Sequence, residues 1–151
     1  LVLLVGKRLE GFEMINSRDI NALNPRTSAK ALDFQVRCAN AGIDIIFTST
    51  FRDDESQNSL YAQGRTLPGK KVTNVAGGGS FHNWRVAFDF VPVVNGKAVW
   101  NDNALWERCG VIGEQCGLEW GGRWKKFVDR PHMQDTMGFS IAQYQRGEVK
   151  V

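Results

Sequence analysis

The stretch Ser80–Phe90, SFHNWRVAFDF, sets one of only two histidines seven residues ahead of an aspartate held between two phenylalanines. In a strand over 86–91, alternation sends Val86, Phe88 and Phe90 to one side and Ala87, Asp89 and Val91 to the other. Burying a carboxylate is costly unless it is paired, hydrogen-bonded or bound to a metal. Asp89 shares its face with the small Ala87, which leaves room above it, and a turn at Asn83–Arg85 can swing His82 back towards it. The second histidine, His132, follows a proline in DRPHMQ, with Asp129 three residues ahead. Two histidines and a carboxylate are a common protein ligand set for catalytic zinc, with the fourth position left to water. A further carboxylate near that position supplies a general base. A histidine on its own is more often a hydrogen-bonded residue than a ligand, and H-x6-D is a weak pattern. Spacing alone therefore leaves both readings open.

The flanking sequence supplies the frame. After the turn signal Asn24-Pro25, RTSAKALDFQVRCANAG predicts an amphipathic helix ended by Gly42, with Ala29, Leu32, Val36 and Ala39 as its apolar face. IDIIFTSTF (43–51) reads as a buried strand, and Asp53 or Asp54 as the cap of a helix running to Gly64. Residues 64–81 hold five glycines and a proline, the mark of a long loop of functional or disordered character. Gly77, Gly78 and Gly79 lack the Lys-Ser/Thr pair of a phosphate loop and read as flexibility over a cleft. VAFDFVPVV is a strand, NGK a turn into AVW, NALWERCGVIGEQCG a helix, LEW and PHMQ short strands, GGRW a loop and SIAQYQRG a last helix. Helices and short strands without a βαβ rhythm predict an α+β fold.

The 151 residues suit one domain, taken as 1–151 with its motif-bearing core over about 20–134, and no separate wall-binding domain. A 42% hydrophobic and 23% charged composition is that of a globular protein. Net charge +3 suits an anionic polymer such as a bacterial wall, and no basic run interleaved with aromatics points to nucleic acid. Cys38, Cys109 and Cys116 have no C-x-x-C spacing and read as free thiols. No stretch reaches membrane-spanning length, so no membrane insertion is expected. The opening LVLLV is too short for a signal core and reads as a first strand or a truncated start; the chain begins without Met, so a processed upstream segment stays open.

Several motifs in order carry a resemblance. S-F-H-N-x-x-x-A-x-D-F with P-H-x-Q downstream resembles the VanY/LAS group of zinc peptidases, family M15. LYAQGRTLPGKKVTNVAGGGSFHN and GLEWGGRWKKFVDRPHMQ resemble, more narrowly, the L-alanyl-D-glutamate endopeptidases of phage endolysins and bacterial wall hydrolases. The similarity runs from about Ile20 to Gln134. It implies a LAS/hedgehog-type fold, a small antiparallel sheet flanked by helices, and one zinc held by His82, Asp89 and His132. It further implies Asp129 as catalytic base, Arg52 as the group that polarises the scissile carbonyl, and Gln57 and Ser80 as substrate contacts. Many relatives carry glycine where this chain has Arg85, which predicts backbone strain if that position needs a positive φ.

The expectation is a monomeric zinc peptidase acting on the peptidoglycan stem peptide at L-Ala–D-Glu, held in the host cytoplasm until lysis. A D-Ala-D-Ala carboxypeptidase or dipeptidase, or a non-catalytic wall-binding module, are the alternatives. Glu119 stands as a second carboxylate at the site or as a support behind it. Trp84 and Trp124 stand as groove or core residues, and Trp120 as core.

Overall fold

The computed structural model describes residues 14–150; the LVLLV segment lies outside them. Helix α1 (Pro25–Asn40) leads into strand β1 (Asp44–Ser49), helix α2 (Asp54–Ala62) and a long irregular segment. Then come β2 (Ala87–Val94), β3 (Lys97–Ala98), α3 (Asn103–Gln115), β4 (Glu119–Trp120), β5 (His132–Gln134) and α4 (Ile141–Gln145). The strands form one antiparallel sheet in the order β1-β2-β5-β4, with β3 as a hairpin arm on β2. Asn95 and Gly96, both at positive φ, make the tight turn of that hairpin. The α+β expectation holds.

The helices start where hydrogen-bonding side chains stand. Asn24 Oδ1 accepts from the Thr27 amide, Asp53 Oδ1 from Ser56 and Asp102 Oδ1 from Leu105, so each satisfies an amide that the first turn leaves open. Helix α1 lies where its sequence predicts it, but turned about its axis. Its buried residues are Thr27, Ala31, Phe34 and Cys38, while Ala29, Leu32, Val36 and Ala39 face solvent. Both sets recur at helical spacing; Phe34 decides between them, because its ring fills the core edge-on against Phe90 at 4.9 Å.

The core extends through Phe88, Phe90, Trp106, Trp120 and Met133. Helix α3 reaches it through Gly110 and Gly113. A Cβ on Gly110 would stand 2.2 Å from the Trp120 ring, and one on Gly113 would stand 2.3 Å from the Met133 methyl. Trp120 and Met133 are partners across β4 and β5, so these glycines let the helix lie directly on the two strands that frame the site. Cys38 and Cys109 are buried and Cys116 is partly buried, all three as free thiols.

Candidate metal centre and active-site cleft

Strand register assembles most of the site. Asp89 on β2 pairs directly with His132 on β5, and Ser49 on β1 lies opposite Asp89 on its other side. The β1–β2 register slips between Phe47 and Ser49, a bulge of the kind that re-aims side chains beside functional sites. His82 arrives from a single 3-10 turn, Phe81–Trp84, ahead of β2. Ser80 caps that turn: its hydroxyl accepts from the His82 amide, while Asn83 reaches back to the Ser80 amide. The turn ends at Arg85, with φ 63 and ψ 27 in the left-handed region. The strain expected of an arginine there is present. Two contacts offset it: the guanidinium donates to the Ala22 carbonyl at 2.7 Å and lies 3.7 Å from the Phe51 ring centroid.

His82, Asp89 and His132 each present a ligand atom, all within 4.8 Å of one another. Hydrogen bonding fixes which atoms these are. His82 Nδ1 lies 2.9 Å from the Thr50 carbonyl oxygen, which only accepts, so Nδ1 carries the proton and Nε2 turns a lone pair inward. His132 Nε2 lies 2.7 Å from Gln134 Oε1 and donates to it, so Nδ1 is the inward atom. These inward nitrogens lie 3.2 and 3.4 Å from the same atom, Asp89 Oδ1. Three lone pairs facing one another repel unless a proton or cation sits among them. The donor set therefore fits a zinc ion: two neutral imidazoles, each with its outer N–H spent on an acceptor, and one carboxylate.

The same geometry moves the titrations of these groups. Burial pushes the Asp89 carboxyl up, but His82 and His132 outweigh it and hold the group well below the ordinary range. Burial disfavours a charged His132, yet the bond to Asp89 wins and raises its pKa.

Around this centre lies a cleft of about 860 Å³, lined by Arg52, Lys71, Ser80, Trp124, Phe127 and Asp129 among others. Asp129 sits on the loop before β5, its amide donating to the Gly121 carbonyl at 3.0 Å. A Cβ at Gly121 would stand 2.4 Å from the Asp129 carbonyl oxygen, so glycine permits that close approach. The Asp129 carboxylate has no ion pair among the described residues, and burial pushes its pKa up, with His132 opposing. Arg52 follows β1 and is braced on both sides: it donates to Gln57 Oε1 at 3.0 Å and Ser49 Oγ at 3.1 Å. Burial lowers its pKa, with Asp89 and Asp129 pushing back.

Most of the residues singled out from sequence converge here. Gln57 does not reach the cleft: it is fully buried behind Arg52, and its amide donates to the Val75 carbonyl at 2.9 Å. Glu119 is a support. It accepts from Gln134 Nε2 and from Trp124 Nε1, both at 3.0 Å. Trp84 pins the Gly78 carbonyl and Trp120 lies in the core, whereas Trp124 lines the cleft. Gly77 and Gly79 serve close packing, since a Cβ would meet the Asp54 carbonyl oxygen at 2.8 Å and Val75 Cβ at 2.9 Å, whereas Gly78 supplies a positive φ of 83°. Sequence reasoning missed Ser49, at the β1 bulge, and Thr50, just beyond the strand, and gave Gln134, the Q of P-H-x-Q, no role of its own.

Comparison with known proteins agrees with this geometry. Residues 73–135 match a family described as D-alanyl-D-alanine carboxypeptidase, within peptidase family M15. The peptidoglycan L-alanyl-D-glutamate endopeptidase CwlK of Bacillus subtilis (strain 168) is 37% identical over 121 residues, covering 74% of this chain and 72% of CwlK. The chain belongs to peptidase family M15. The L-alanyl-D-glutamate peptidase of Listeria phage A118 is 29% identical over 85% of the chain, which spans 44% of that phage protein. In fold, this M15 chain superposes on the Serratia marcescens L-Ala D-Glu endopeptidase ChiX with a TM-score of 0.56 and 21% identity, over 82% of this chain and 90% of ChiX. It also superposes on a variant of the vancomycin resistance D,D-pentapeptidase VanY in complex with Zn(II), with a TM-score of 0.57 and 14% identity, over 90% of this chain and 92% of VanY.

Proposed function

We propose that this chain is a zinc-dependent peptidoglycan hydrolase that cuts the L-Ala–D-Glu bond of the stem peptide. The observation that carries the chemistry is the convergence of His82 Nε2, His132 Nδ1 and Asp89 Oδ1, their outer N–H groups already committed. The choice of bond rests on the 37% identity to an L-alanyl-D-glutamate endopeptidase across most of both chains. A zinc ion held by these three side chains supplies Lewis-acid activation of water and of the scissile carbonyl.

The remaining work falls to the chain's own groups. Asp129, unpaired in the cleft and with an upward-shifted pKa, takes a proton from the attacking water at its carboxylate and returns it to the leaving amine. Arg52, held by Ser49 and Gln57, donates to the carbonyl oxygen as negative charge builds there. Gln57 acts through Arg52 by fixing its direction. Ser80 sets His82 through the capping bond and borders the substrate. Lys71, on the cleft wall, offers a cation to the free carboxylates of an acidic peptide. The described residues act as one catalytic domain, as a monomer, on the cell wall; among them no helix is long and apolar enough to cross a membrane.

Mass spectrometry of purified peptidoglycan after digestion tests the bond. New L-Ala carboxyl and D-Glu amino termini support the reading. Release of terminal D-Ala alone would replace it with a carboxypeptidase, the activity named in the description of the matching family.

A further inference from the structure

Behind His132 runs a chain of hydrogen bonds whose direction is forced at every link. Trp124 Nε1 can only donate, and it donates to Glu119 Oε2 at 3.0 Å. Glu119 Oε1 accepts from Gln134 Nε2 at 3.0 Å, which a carboxylate imposes on the amide, since it offers no proton in return. With its NH₂ group turned to Glu119, Gln134 has only Oε1 left for His132, 2.7 Å from Nε2. His132 must then carry a proton on Nε2, which leaves Nδ1 as the atom turned towards Asp89 and His82. We propose that Glu119 is a positioning residue that selects the His132 tautomer through Gln134, while Trp124 occupies the second oxygen of the same carboxylate. The zinc consequence rests on the metal reading above; the proton on Nε2 does not, and in the neutral ring it must hold against the pull of Asp89 on Nδ1.

The relay makes an unusual demand of one substitution. Glu119→Gln keeps the shape but adds an NH₂ group that must oppose a donor, either Trp124 Nε1–H or the Gln134 amide. If its oxygen stays with Trp124, Gln134 flips, offers NH₂ to His132 Nε2 and drives the proton onto Nδ1. That proton points at the metal position. Removing the competing donor should cure the fault: in Glu119→Gln with Trp124→Phe, the new amide oxygen is free to accept from Gln134 again.

Two measurements on the full chain decide it. Long-range ¹⁵N–¹H NMR of zinc-free protein, with the ring neutral, reads the His132 tautomer, and chelator competition reads zinc affinity. The parental protein and Trp124→Phe should hold the Nε2–H form. Glu119→Gln should lose that preference and bind zinc roughly 10–100-fold more weakly, the scale for losing a group that orients a metal ligand. The double variant should regain both. An unchanged tautomer and unchanged zinc affinity in Glu119→Gln, or no recovery in the double variant, would overturn the proposal. If Glu119→Gln fails to fold, Gln134→Leu removes the same acceptor and should abolish the same preference; retention of the Nε2–H form there also overturns it. A parental protein that binds no zinc contradicts the metal reading instead, and the NMR readout still tests the relay.

Discussion

Asp89 and His132 are direct partners across two antiparallel strands, with His132 Nδ1 3.4 Å from Asp89 Oδ1. Two of three candidate ligands are thus placed by sheet hydrogen bonding, which leaves little room for adjustment. His82 comes from a capped turn and is tied to the Thr50 carbonyl from outside. Such a site is held ready by the fold, the condition under which a ligand set binds metal without reorganising.

The first prediction separates chemistry from assembly. Asp129→Asn should retain zinc and melting temperature while turnover falls by ~10²–10⁴, the range for a lost general base. Arg52→Lys should restore little of what Arg52→Ala loses, because Lys cannot meet Ser49 and Gln57 with a planar fork. Steady-state kinetics on a defined muropeptide check both. A raised KM with unchanged kcat in the Arg52 variants would mean that Arg52 only holds substrate.

The second concerns the left-handed turn at Arg85. Glycine there should relieve roughly 1–2 kcal/mol of backbone strain that alanine retains, while both lose the contacts to Ala22 and Phe51. Arg85→Gly should therefore melt above Arg85→Ala by about 2–4 °C per kcal/mol regained. Equal melting temperatures by calorimetry would remove strain from the account.

The third reverses a propensity rule. Glycine inside a helix ordinarily costs up to about 1 kcal/mol relative to alanine, yet Gly110→Ala should destabilise by roughly 1–3 kcal/mol or more. The added methyl would meet the rigid ring of Trp120, whereas at Gly113 it would meet the end of the pliable Met133 side chain. Gly113→Ala should accordingly cost less. Urea denaturation of the two variants orders them.

How far the sequence could be read follows from range of interaction. The cap at Asp53, the turn signal at Asn24-Pro25, the Asn95-Gly96 turn and the strand alternation around Asp89 are local, and these were legible; that Asn24 and Asp102 cap their helices was not read. The face of α1 was not, because Leu32 and Val36 form as regular a stripe as Ala31, Phe34 and Cys38, and only the partner surface discriminates. The candidate ligands were visible as residue types in a spacing, and the family resemblance joined them. Gln57 was marked as a substrate contact, though its side chain is spent on Arg52 and Val75. The support from Ser49 depends on a bulge, and that from Gln134 on which strand lies beside β5. The contacts span only three and two residues, Ser49 to Arg52 and Gln134 to His132, but the bulge and the Glu119 partner on β4 that orient them are set by strand pairing.

In the proposed reading His82, Asp89 and His132 hold one catalytic zinc. Elemental analysis of chelator-stripped and zinc-reloaded protein, run beside peptidoglycan hydrolysis on the same samples, tests it most directly. The reloaded protein should contain about one zinc per chain, with activity absent from the stripped protein and returned by zinc. Undiminished hydrolysis by protein that contains no transition metal would contradict it.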